Sequence, residues 1–113
     1  GCFDVVMPAY NVINHAFLDN ILKKAREKGI GLIAMKAAMA VATPYDPEQV
    51  PVPEWRVNKL NQIIPEEMKL QVKAFLWALQ NQDLTAVNAG MYTSEMVLEN
   101  LTVVGKKIDL KLA

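Results

Sequence analysis

The chain's 113 residues suffice for one domain and are too few for two. Hydrophobic residues at 52% against charged residues at 21% exclude a disordered chain and point to one packed core. Twelve basic and twelve acidic residues cancel to a formal charge of zero, which argues against a nucleic-acid partner or a basic membrane-binding face and leaves little repulsion between copies.

The single cysteine, Cys2, rules out an internal disulfide and any multi-cysteine metal or iron–sulfur site built from these residues alone. Nothing cationic surrounds it in sequence, so it reads as an ordinary thiol rather than a reactive one. No stretch approaches the roughly 20 apolar residues needed to cross a bilayer, and no basic region followed by an apolar run opens the sequence. A cytoplasmic location is the expectation.

Phe3 to Ala9 is a short β-branched, apolar run with Pro8 near its end, which predicts a buried strand. From His15 to Lys28, Phe17, Leu18, Ile21, Leu22 and Ala25 fall at helical spacing, with Asn14 as the expected cap and Gly29 as the stop. Lys23, Lys24, Arg26, Glu27 and Lys28 form its solvated face. Gly31 to Lys36 is a second short apolar run, predicted to be another buried strand. Strand, helix and strand within about 35 residues match one βαβ unit of a parallel sheet.

Residues 37–65 break the rhythm, with Pro44, Pro47, Pro51, Pro53 and Pro65 forbidding one continuous helix. A long loop excursion is predicted, with a short helix over 54–63. Such loops often act as lids, and Tyr45, Trp55 and Arg56 are candidates, although an aromatic packed against the body is the plainer reading. Pro65, Glu66 and Glu67 suit the first turn of a helix running to about Asn81, with Met68, Val72, Phe75, Leu76 and Leu79 as its buried stripe. The two glutamates therefore complement a helix dipole rather than form a catalytic pair. Thr85 to Gly90 is the third predicted strand. A helix over 94–104, capped by Thr93, would bury Val97, Leu98, Leu101 and Val104.

Three βα units in succession predict a parallel α/β fold, either a free-standing three-stranded sandwich or a slice of an eight-stranded barrel. His15, the only histidine, has no second ligand at metal spacing and reads as a surface residue.

Three stretches taken together resemble the sixth, seventh and eighth βα units of the aldo-keto reductase family: Phe3-Asp4-Val5-Val6-Met7-Pro8-Ala9-Tyr10-Asn11, Lys28-Gly29-Ile30-Gly31-Leu32-Ile33-Ala34-Met35-Lys36, and Gly90-Met91-Tyr92-Thr93-Ser94-Glu95 continuing to Glu99-Asn100-Leu101. The resemblance covers nearly all of the chain. It implies the C-terminal portion of a (β/α)8 TIM barrel, a fragment of an oxidoreductase that reduces aldehydes or ketones with NADP or NAD across the barrel's C-terminal mouth. It also implies that Met7 and Met35 lie near the nicotinamide and Lys36 near the pyrophosphate. By the same resemblance the backbone of Gly90 and Met91 lines the adenosine phosphate region, and Glu99 and Asn100 contact adenine.

The sequence departs from the family at two positions. Met7 stands where a glutamine commonly holds the nicotinamide amide, and Met96 where an arginine holds the 2′-phosphate, so preference for NADP is not implied. The family's catalytic tyrosine, lysine, aspartate and histidine belong to earlier strands, and Tyr10 and Tyr92 have no comparable setting. Without a positioned proton donor the chain alone is expected to be inactive.

A non-catalytic nucleotide-binding or regulatory module of the same type is the alternative reading. An aldolase-type barrel, with Lys36 forming a Schiff base, is a further one. Expected partners are a small carbonyl substrate in the full enzyme, and either the remainder of the barrel or further copies of the chain, since a partial barrel leaves bare strand edges.

Overall fold

In the computed structural model, which describes residues 2–42 and 51–106, the chain is a small α/β domain. Among the described residues there are three parallel strands and four helices: β1 (Val5–Val6), α1 (His15–Glu27), β2 (Gly31–Ala34), α2 (Glu54–Ile63), α3 (Leu70–Leu79), β3 (Ala86–Val87) and α4 (Ser94–Leu101). The strands lie in the order β1-β2-β3. Residues 43–50 of the predicted excursion, Tyr45 among them, lie outside the described residues.

Val5 and Val6 pair with Gly31 and Leu32, and Ile33 and Ala34 pair with Ala86 and Val87. The formal strands are shorter than predicted, yet the β1–β2 pairing runs on. The Met35 amide donates to the Pro8 carbonyl at 2.9 Å and the Tyr10 amide to the Met35 carbonyl at 3.0 Å, around an Ala9–Met35 bridge. Pro8 has no N–H to give, so it contributes only its carbonyl.

Paired residues share a face and neighbours along a strand alternate. One face carries Leu32 and Ala34, exposed by 1% and 0%, packed with Tyr10 and Leu22. The other carries Val5, Ile33 and Ala86, of which none is buried. The expectation of a buried β1 is therefore corrected: Phe3, Val5, Val6 and Met7 are all exposed, because among the described residues β1 is an edge strand and neither of its faces is closed by a helix.

α1 begins as predicted, but Asn14 does not cap it through its side chain. That amide instead donates to the Ala9 carbonyl at 2.9 Å and accepts from the Asn11 amide at 2.8 Å, while the Asn11 side chain accepts from the amides of Ile13 and Asn14. Two short amides knit a turn that competes with the cap. The helix ends at Gly29, with φ 77°, where the Gly29 amide donates to Arg26 and the Ile30 amide to Ala25. This is the paired bonding that a left-handed residue after a helix allows, and Ile30 packs into the same cluster as Ala25.

α2 has the predicted bounds. The third helix does not open at Pro65: residues 65–69 are non-helical, and α3 starts after an extended Lys69. Ile64 and Met68 both pack into the main core cluster, and the chain reaches it twice by bending between them, with Glu66 and Glu67 left in water. α3 is then buried almost all round, through Val72, Lys73, Ala74, Phe75, Leu76 and Ala78. Each of its large apolar side chains contributes about 1.5–3 kcal/mol of transfer free energy. Leu79, expected in the buried stripe, is exposed beyond it.

The apolar positions of α1 and α4 are only partly used. Phe17 and Ile21 on α1 are exposed, as are Val97, Leu98, Leu101 and Val104 on and after α4, all expected inside. Burial there needs an opposing element, and among the described residues α1 packs on β2 and α4 on α3 by their other faces. α4 itself closes at Leu101 rather than at 104, where the Thr102 hydroxyl donates to the Glu99 carbonyl at 2.6 Å.

Candidate functional site

Parallel strands send all their C-terminal ends to one edge of the sheet, where backbone pairing stops and the connecting loops open a crevice. At that edge, past Ala34 and Val87, lies a cleft of about 350 Å³. Met35, Lys36 and Met39 line it from the chain leaving β2, and Asn88, Gly90 and Tyr92 from the chain leaving β3. Gln71 and Phe75 of α3 and Met96 and Asn100 of α4 complete the wall. The volume falls within the range of small-molecule sites.

The cleft's chemistry is mostly apolar, with Lys36 the one charged side chain among the described residues on its wall. Lys36 sits at φ 59°, a left-handed conformation that a side-chain-bearing residue adopts only at a cost in steric strain. That turn carries the chain off the strand end, and the Lys36 side chain is exposed. Asn100 is 8% exposed, and its side-chain oxygen is buried without a hydrogen-bond partner. An unpaired acceptor in such a place costs about 1–3 kcal/mol, so it is poised for a ligand that brings an N–H or O–H. A side chain added at Gly90 would meet nothing within 4 Å, so the backbone there lies open to close approach. Thr93 caps α4 as predicted, its hydroxyl accepting from the Met96 amide at 3.2 Å.

Of the seven residues singled out from the sequence, Met35, Lys36, Gly90 and Asn100 are brought together here. Met7, on the exposed edge after β1, and Met91, exposed beside Gly90, lie outside the cleft wall. Glu99 is not on the cleft wall: it pairs with Lys69 and accepts from the Gln71 side-chain amide at 3.1 Å, tying α4 to the start of α3. Sequence reasoning missed Met39, Gln71, Phe75 and Asn88. Asn88 was legible in principle, as the polar residue near the C-terminal end of the run 85–90. Gln71 and Phe75 are set by how α3 packs, and Met39 by the turn after β2, which no local pattern announces.

A second, shallower hollow holds Tyr10, His15, Asp19, Trp77 and Asn81. The Tyr10 hydroxyl donates to Asp19 at 2.7 Å and accepts from the Asn81 amide at 2.9 Å, while His15 Nδ1 lies 2.8 Å from the other Asp19 oxygen. Tyr10 stacks on Trp77 at 5.4 Å between centroids, and His15 meets the same ring edge-on at 5.0 Å. Burial, and then the hydrogen bond to Asp19, hold the Tyr10 hydroxyl well above the ordinary tyrosine range. Every one of these polar groups has a partner, so the cluster joins loop, α1 and α3 rather than presenting free chemistry.

Among the described residues there is no group of three or more histidine, cysteine or carboxylate side chains able to hold a metal, and no helix long and apolar enough to cross a membrane. No family model, curated protein or solved structure matches this chain.

Proposed function

We propose that this chain supplies the nucleotide-holding side of an NAD(P)H-dependent oxidoreductase of the aldo-keto reductase type, as three βα units of a (β/α)8 barrel. One observation carries the reading: Met35, Lys36, Gly90 and Asn100, distant in sequence, line a single cleft at the C-terminal ends of parallel strands. Each offers what its part of a dinucleotide needs. Lys36 gives a compact positive charge for a pyrophosphate, Gly90 a bare backbone, and the unpartnered Asn100 oxygen an acceptor for the adenine amino group. Met35 offers a polarizable surface for the nicotinamide ring; Met7, Met91 and Glu99 lie outside the cleft wall.

Bound NAD(P)H would supply the hydride. These residues hold and orient it, and the proton for the carbonyl oxygen has to come from elsewhere. The chain by itself therefore binds nucleotide without turning over aldehydes or ketones. Calorimetric titration of the chain with NADH, NADPH and ADP-ribose tests this: binding with a dissociation constant below about 1 mM is expected. Absence of heat for all three ligands up to that concentration would overturn the assignment, as would carbonyl reduction by the chain alone.

A further inference from the structure

Two helices expose apolar stripes that no described element covers, and their charges are arranged in opposite senses. On α1 and its capping residue Lys28, Phe17, Ile21, Lys24 and Lys28 fall within one narrow stripe at 3.6 residues per turn, apolar at the N-terminal end and basic at the C-terminal end. Phe17 is 84% exposed and Ile21 is also bare. On α4, the stripe begins with the exposed Glu95 and continues through Leu98, which is 68% exposed, and Leu101. It is acidic at the N-terminal end and apolar toward the C-terminal end. Within one chain the stripes do not meet, because α1 packs on β2 and α4 on α3.

We propose that the chain binds a second copy of itself head to tail, the α1 stripe of one copy lying antiparallel along the α4 stripe of the next. Only that orientation satisfies both patterns. Phe17 and Ile21 then face Leu101 and Leu98, and Lys24 faces Glu95, the six residues at which apolar meets apolar and cation meets carboxylate. A parallel arrangement sets Glu95 beside Phe17, which desolvates a carboxylate without a counter-charge. The antiparallel one also aligns the helix dipoles favourably. Zero net charge removes the repulsion that keeps copies of many domains apart. Formed twice across a two-fold axis the pairing closes a dimer, and formed once per copy it extends into rings or chains. α4 spans eight residues, about 12 Å, so the contact is short and the association weak.

Sedimentation velocity on the full chain over a concentration series tests the proposal. Reversible, concentration-dependent association is expected. Lys24→Glu and Glu95→Lys each place like charges together and weaken it by about tenfold or more, whereas K24E/E95K in one chain restores it. Both positions are solvent-exposed, and circular dichroism confirms that each variant is folded. Should a charge variant fail to fold, Phe17→Ser, at a side chain almost wholly in water, removes the apolar half of the same contact. A monomer at all concentrations overturns the proposal. Association indifferent to both charge reversals and to Phe17→Ser overturns it too, since another surface is then responsible, and failure of the double reversal to restore association rules out the antiparallel pairing.

Discussion

Lys36 joins two properties that are rarely combined: a left-handed backbone and the only charge among the described residues of the cleft wall. The left-handed conformation costs an ordinary residue roughly 1–2 kcal/mol and glycine almost nothing. Lys36→Ala keeps that cost and removes the amine, whereas Lys36→Gly removes both. In urea unfolding the glycine variant is expected to be about 1 kcal/mol more stable than the alanine variant, with glycine's looser unfolded state offsetting part of the gain. Both should lose nucleotide affinity equally, because both lack the ammonium. Equal stability of the two would mean that the backbone is not strained, and an affinity difference between them would mean that the turn, not the charge, holds the ligand. At this scale the sequence was informative only where a residue's type restricts its surroundings. Gly29 announced a helix end and Thr93 a cap, but neither the turn at Lys36 nor the orphaned Asn100 oxygen leaves a local mark, since both depend on what packs around them.

Elements were legible by the same logic and to the same limit. Apolar spacing placed α1 and α2 and the three strand positions, and the parallel pairing follows from strand–helix alternation. It failed at Pro65–Lys69, where the demand that Ile64 and Met68 both reach the core bends the chain. It also failed at the outer stripes of α1 and α4, where periodicity says which side is apolar and cannot say whether anything covers it. What joins the start of α1 to the end of α3 is the network through Tyr10, Asp19 and Asn81. Because the folded chain holds the Tyr10 hydroxyl above its ordinary range, first by burial and then by the bond to Asp19, the unfolded chain loses that proton first. Stability from this source is whole below about pH 10 and drains away as pH rises beyond it. Tyr10→Phe should be destabilised by about 1–3 kcal/mol at neutral pH, since Asp19 and Asn81 lose a partner. The gap to the parent should narrow as pH is raised from about 9 to 11 in thermal unfolding experiments. A gap that stays constant across that range would show that Tyr10 ionises alike in both states.

For the molecule as a whole, stability and binding are set against each other at Asn100. Its oxygen is buried on the cleft wall with no partner, a cost the chain bears whenever the cleft holds no donor. Replacing it by leucine, which has the same branched shape, no polar atoms and a larger volume that the adjoining cleft can take up, removes the cost: Asn100→Leu should raise the stability of the ligand-free chain by about 1 kcal/mol. The same change removes the acceptor that a nucleotide's amino group would use. A ligand present at a hundred times its dissociation constant stabilises a fold by about 2.7 kcal/mol, which moves the melting temperature of a domain this size by roughly 10 °C. The parent chain should show a shift of that order with saturating ADP-ribose, and Asn100→Leu a much smaller one from a higher starting point. A leucine variant less stable than its parent would mean that Asn100 holds the cleft wall together instead. An undiminished ligand shift would mean that the nucleotide, if it binds, does not reach this end of the cleft, and that the apolar wall and Lys36 alone carry the affinity.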